Sequence, residues 1–223
     1  MHYQPLDYKK WDFTGKGRNI IRLLSPIEFD IWKKALSYQD KRRDIGHAEN
    51  VLYFALKLLD VINAKRELVI LAAILHDVGW SRLSFRDRIN ALDSKHPNFL
   101  RDRLRHEKEG VKIAKKILKE VNYGSKLSSE ILEIIEGHDT RKGFISKEDG
   151  VVRDADKIWR FTLTHHDVIS KRLKESPKKY SRPKAFYNHF LKNITLPGFF
   201  YSDAAKEIAK IEIENTFKQI NNL

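Results

Sequence analysis

The chain of 223 residues contains no cysteine. Disulfides, thiolate zinc sites and cysteine nucleophiles are therefore excluded, and any metal site must be built from His, Asp and Glu. Long apolar runs are also missing. The longest, "LVILAAIL", is far shorter than the roughly 20 residues that cross a bilayer. The opening stretch "MHYQPLDYKK" has no apolar segment of the kind a secretory signal needs, so the expected location is the cytoplasm, with no membrane association. Acidic residues are in deficit. Against 30 Asp and Glu stand 43 Lys and Arg, a net charge of +13. That balance favours anionic partners: a phosphorylated small molecule, a nucleic acid or an anionic surface. It also serves plain solubility, so charge alone does not choose among them.

Helical periodicity is what the chain has in abundance. "SPIEFDIWKKALSY" opens with Ser25 as N-cap and Pro26 at the first helical position. "DIGHAENVLYFALKLLDVIN" repeats apolar residues at three-to-four spacing, and "RELVILAAILHDVG" is apolar nearly all round, as a central buried helix would be. "RHEKEGVKIAKKILKEV", "SSEILEIIEGHD", "EDGVVRDADKIWRFTLTHHDVISKRL" and "SDAAKEIAKIEIENTFKQI" continue the pattern, the last capped by Ser202 or Asp203. No hairpin signal appears, and the predicted class is all-α. Residues 1–24 read as an irregular N-terminal segment and 25–223 as a single helical domain. "DFTGKGRN" lacks the spacing of a phosphate loop and reads as a turn. The basic, proline-punctuated "KESPKKYSRPK" at 174–184 reads as a solvated connector.

Three His-Asp pairs stand out: His76-Asp77, His138-Asp139 and His166-Asp167. Nine His and 16 Asp would give fewer than one such pair by chance. A single histidine at a helix end is ordinarily a capping or surface residue. Here His47 starts one helix, His76 and Asp77 close the most apolar one, His106 opens another, and His138 ends a fourth. Asp154 and Asp156 flank an apolar helix in "VVRDADKIW". Burying unpaired carboxylates is costly, so Asp beside buried His suggests a cation between them. Imidazole with carboxylate suits Mn, Fe, Co, Ni or Zn, and Mg where oxygen ligands dominate.

The order His47, then His76-Asp77, then an Asp in "RDADKI" resembles the H…HD…D pattern of the HD superfamily of metal-dependent phosphohydrolases. The surroundings "GHAENVLYFALKL", "LAAILHDVG", "RHEKEGVKIAKKIL" and "ILEIIEGHD" resemble its small single-domain branch. The resemblance covers roughly residues 40 to 165, with a C-terminal helical extension over 184–223. It implies a helical bundle with a metal site in a central cleft, and one or two divalent ions. His47, His76, Asp77 and Asp156 would hold the first ion, and the attacking group would be a metal-bound water oriented by Asp77. Asp156 is preferred to Asp154 because the family's ligand follows Ala and precedes a basic residue. The two lie about 200° apart on a helix and cannot both face one ion. His106 and His138 match positions that hold a second metal or face substrate phosphate. The Glu-Asp pair that some members carry after HD is missing, since the chain continues "HDVGWSRLSF".

The implied activity is hydrolysis of a small phosphorylated substrate, with a nucleotide the favoured class. Non-phosphate chemistry on the same ligands (hydration or oxygenation) and a basic nucleic-acid-binding module with a regulatory site are the alternatives. Lys157, Arg141, Lys142 and Arg82 are the candidate phosphate-binding cations. If the helix from 151 continues, His165, His166 and Asp167 lie roughly 13 to 17 Å beyond Asp156 and outside the metal cluster. In "GHD" only His138 is expected to matter. His2, His96 and His189 read as surface residues. Specificity is expected in the segments 81–104 and 174–201. Oligomeric state is not legible.

Overall fold

The computed structural model describes residues 3–5, 7, 20–174 and 183–221. "DFTGKGRN", most of the 174–184 connector, His2 and the side chain of His189 lie outside the described residues. The described helices are α1 (Pro26–Ala35), α2 (His47–Leu59), α3 (Arg66–Leu75), α4 (Phe85–Asn90), α5 (Phe99–Glu120), α6 (Ser125–Ile135), α7 (Lys147–Trp159), α8 (Leu163–Lys174), α9 (Pro183–Ile194) and α10 (Asp203–Asn221). Among the described residues there is no strand, in keeping with the all-α expectation. None of these helices is long and apolar enough to cross a membrane.

Local sequence accounts for the helix starts. Ser25 accepts from Glu28 N while Glu28 returns a carboxylate oxygen to Ser25 N, with Pro26 at the first turn. Ser146 accepts from Asp149 N at 3.1 Å, and Ser202 Oγ from Ala205 N at 3.1 Å. α2 begins differently. Gly46 sits at φ 85°, a left-handed conformation that an L side chain rarely adopts, and the chain turns there so that His47 is the first helical residue.

α3 is the centre of the molecule. Every residue from Leu68 to Leu75 is buried, and α1, α2, α6 and α7 pack around it. α2 lies along α7, and α5 rests against a 3-10 turn at Val78–Arg82 that follows α3. Consequently the ends of α3, α6 and α7, the start of α2 and the body of α5 meet in one place.

Several sequence boundaries move. His106 does not open its helix but sits inside α5, which begins at Phe99. The segment 81–104 carries α4 and the first residues of α5, and 174–201 carries α9. Residues 20–23, expected to be irregular, form a 3-10 turn. The long helix expected from 151 ends at Trp159, and the chain turns at 160–162 before α8. Thr162 helps to break it, donating its hydroxyl to Trp159 O at 2.7 Å.

Asp154, fully buried on α7, ties that helix to α10. It accepts from Tyr201 N (2.7 Å), Ser202 N (2.9 Å) and Ser202 Oγ (2.8 Å). Asp154→Ala would leave two backbone N–H groups short of partners and should cost about 2–4 kcal/mol. Urea unfolding measures it. A loss below about 0.5 kcal/mol, the scatter of neutral surface changes, would refute this structural role.

Candidate metal centre

His47 and His76 bring their Nε2 atoms to 3.1 Å. Asp77 Oδ2 lies 3.1 Å from the first and 3.6 Å from the second. Asp156 Oδ1 lies 3.4 and 3.8 Å from them. Donors bound to a transition metal at about 2.1 Å stand about 3.0 Å apart in an octahedron and about 3.4 Å apart in a tetrahedron. These separations, 3.1 to 3.8 Å, are close to those of donors around one ion. The arrangement also brings together the four residues that sequence placed on the first ion, while Asp154 points to α10 instead.

A second cluster adjoins the first. His106 Nε2 and His138 Nε2 are 3.3 Å apart. Asp77 Oδ1 lies 3.3 Å from His138 Nε2 and 3.6 Å from His106 Nε2. The two oxygens of one carboxylate, Asp77, therefore face two different histidine pairs. Asp77 thus lies within reach of both clusters.

Second contacts fix the donors. His76 Nδ1 is 2.8 Å from Ala73 O and His138 Nδ1 is 2.8 Å from Ile135 O. A carbonyl can only accept, so both Nδ1 atoms carry a proton, and in the neutral ring this leaves Nε2 as the ligating atom. Trp80 stacks on His106, with ring centroids 3.8 Å apart and 7° between planes, and donates Nε1–H to Asp77 Oδ1 at 2.9 Å. Glu107 accepts from Asp139 N, Thr140 N and Thr140 Oγ1 at 2.9, 2.9 and 2.7 Å, holding the turn that presents His138.

The electrostatics fit cation binding. Burial works against ionised Asp77, yet Arg42, then His76 and the hydrogen bonds of His138 and His47, hold its pKa well below the usual range. Asp156 is lowered likewise, burial being outweighed by Arg160, His47 and His76. Burial lowers His76, and lowers His106 to about 3, keeping both rings neutral. At His47 and His138 burial is outweighed by the surrounding carboxylates, Asp77 foremost. Both are raised, His138 to about 9. Ionised carboxylates around imidazoles that attract protons form a set suited to a divalent cation in the protons' place.

A cleft of about 100 Å³ opens over Asp77, Asp139 and Asp156, walled by Arg42, Arg103, Arg160, Trp159 and His165 among others. The cations named from sequence are placed elsewhere. Lys157 donates to Phe199 O and lies over the rings of Phe144 and Phe199, where burial and Arg153 push its pKa down to about 8. Arg141 folds back onto α6, donating to Glu133 O at 2.8 Å. Lys142 and Arg82 are exposed. Three arginines absent from the sequence expectation occupy the cleft instead. Arg42 Nη2 meets Asp77 Oδ2 at 2.6 Å, Arg103 Nη1 meets Asp139 Oδ1 at 2.6 Å, and Arg160 Nη2 is 3.4 Å from Asp156 Oδ2.

Two further corrections concern the other His-Asp pairs. Because α7 ends early, His165 returns to the cleft wall, its ring 4.4 Å from that of Trp159 and its Nδ1 2.9 Å from Arg160 O. His166 and Asp167 stay away from the cluster, 3.5 Å from each other. Asp139, discounted from sequence, places Oδ2 3.6 Å from His106 Nε2. His96 accepts from Asn98 N at 3.1 Å in the loop before α5.

An all-helical fold that converges histidines and aspartates able to hold a metal ion defines the class of protein. The HD domain family model matches residues 44–160, just over half of the chain. The chain belongs to the HD domain family, whose members are mostly metal-dependent hydrolases. Comparisons with curated proteins and with solved structures find no match.

Proposed function

We propose that the protein is a metal-dependent phosphohydrolase acting on a small phosphorylated molecule, a nucleotide being the favoured class. The observation that carries this reading is the coincidence of Asp77, shared between two histidine pairs, with three arginines around one cleft. His47, His76, Asp77 and Asp156 would hold one divalent ion, and His106 and His138 a second with Asp77 between them. When bound, such ions make water nucleophilic near neutral pH and polarise a phosphoryl oxygen.

The chain's own residues supply the rest. Arg42, Arg103 and Arg160 offer planar donors that match phosphate oxygens, and each is already held in place by a carboxylate of the cluster. Arg42 is anchored further by Asp44, whose Oδ2 accepts from its Nε at 3.0 Å, and it lies over the Trp80 ring. Preorganised cations of this kind favour a transition state in which charge develops on phosphate oxygens. The small cleft admits a phosphate group while the rest of the substrate extends outward.

The test is release of inorganic phosphate by protein stripped with a chelator and reloaded with Mn²⁺, over nucleotides, cyclic nucleotides and sugar phosphates. The expected result is metal-dependent release from at least one nucleotide, absent after stripping. Silence on every phosphate ester, with metal bound, would transfer the site to non-phosphate chemistry.

A further inference from the structure

Two of the three His-Asp dipeptides are placed in the same way. His76-Asp77 follows the end of α3 and His138-Asp139 follows the end of α6. In each, the histidine Nδ1 is 2.8 Å from the carbonyl oxygen three residues earlier, Ala73 O and Ile135 O. In each, the aspartate is held by an arginine at 2.6 Å, Arg42 on Asp77 and Arg103 on Asp139. The arginine takes Oδ1 of Asp139, and the other oxygen, Oδ2, turns toward His106 Nε2 at 3.6 Å. The ligand atoms of His106, His138 and Asp139 all lie within 4.8 Å of one another.

We propose that Asp139 is a ligand of the second ion, so that this site has three donors of its own, His106, His138 and Asp139, besides the shared Asp77. The inference rests on the metal-centre part of the proposed function and not on its phosphate chemistry. Its physical content is charge. With Asp77 alone, a divalent ion between two neutral imidazoles would be half neutralised and would share that carboxylate with the first ion. A second carboxylate at the same site adds a negative charge in a buried place, where uncompensated charge is costly. Arg103 then acts as a positioning residue, fixing one oxygen of Asp139 so that the other faces the histidines.

The competing explanation is that Asp139 is only the counter-charge of Arg103. Metal stoichiometry separates the two. Wild-type protein reloaded with Mn²⁺ should hold two ions per chain by elemental analysis, with the spin coupling of a pair in its EPR spectrum. Asp139→Asn keeps the shape and the oxygen that faces Arg103. It should weaken the second ion about 100-fold or more and leave the uncoupled spectrum of a single Mn²⁺. Arg103→Gln should still take up both ions, as a mere counter-ion pair would not require. Should Asp139→Asn fail to fold, anomalous diffraction from Mn²⁺-loaded wild-type crystals answers the same question. The proposal expects a peak at about 2.1 Å from Asp139 Oδ2, bonding distance for a transition metal. Two coupled ions retained in Asp139→Asn, or a second ion beyond bonding distance of Asp139, would overturn it while leaving the metal centre intact. A wild-type protein that binds no ion would overturn both.

Discussion

Replacing His76 and Asp77 together by alanine is expected to empty the first metal site, to weaken the second, and to lower phosphate release about 1000-fold or more, the scale on which removing key charge-stabilising groups acts. No other position should match Asp77. Its Oδ2 is within 3.6 Å of both first-site histidines, and its Oδ1 within 3.6 Å of both second-site histidines. Losing it takes a donor from each cluster at once, whereas losing His47 or His106 takes a donor from one. It also strips Arg42 of its 2.6 Å partner and Trp80 of its acceptor. Because Arg42 would lose one of its carboxylate partners and keep Asp44, a loss that could itself destabilise the fold, Asp77→Asn is the companion variant, keeping the volume and an oxygen for Trp80. Far-UV circular dichroism should show both proteins helical. Elemental analysis and kinetics should show both losing ions and activity in parallel. Full hydrolysis by the double variant would remove the proposed function.

The second large effect is expected at Gly79, a residue that touches neither ion nor substrate. Its α-carbon faces the backbone of α5. A methyl group there would overlap the His106 carbonyl oxygen and the Gly110 nitrogen, and would sit 2.9 Å from Gly110 Cα. These are main-chain atoms in the middle of a 22-residue helix, so no side chain can swing away. Gly79→Ala must therefore push α5 from the turn after α3. The cost should be about 3 kcal/mol or more, a fall in Tm of roughly 6–12 °C for a chain of this size. The same displacement carries His106 away from Asp77. A shift of about 1 Å in catalytic geometry can cost about 100-fold in rate, so activity should drop even in the folded fraction. Gly110→Ala is the control. Its methyl would meet Ile135 Cγ2 at 3.4 Å and His76 O at 3.5 Å, ordinary contacts, and should change Tm little. Equal tolerance at both glycines would mean that the turn and α5 are not in the close register described.

Periodicity and histidine order made much of this legible. α3 is apolar all round because four helices surround it, and that pattern survives in a single sequence. The cleft arginines are hidden in the sequence because neighbours along a helix, not neighbours along the chain, share a face. Lys157 adjoins Asp156 in sequence but points about 100° away and donates to Phe199 O. Arg160, four residues on, is the helical neighbour and lies beside it. Arg103, three residues before His106 on α5, obeys the same rule. Asp139 was unreadable for another reason: its value depends on α5 bringing His106 to it from 33 residues away. His165 reaches the cleft wall because the backbone turns at 160–162, where helical periodicity alone would run on.

The claim on which all else depends is that these residues hold a divalent cation. Calorimetric titration of stripped wild-type protein with Mn²⁺, repeated on the His76→Ala, Asp77→Ala protein, measures it directly. At least one ion per chain should bind the wild type, with protons released as the histidines give them up, and the variant should bind fewer ions, any that remains at His106, His138 and Asp139 being held about 100-fold more weakly or worse. No binding to the folded wild type, or equal binding to both proteins, would contradict it.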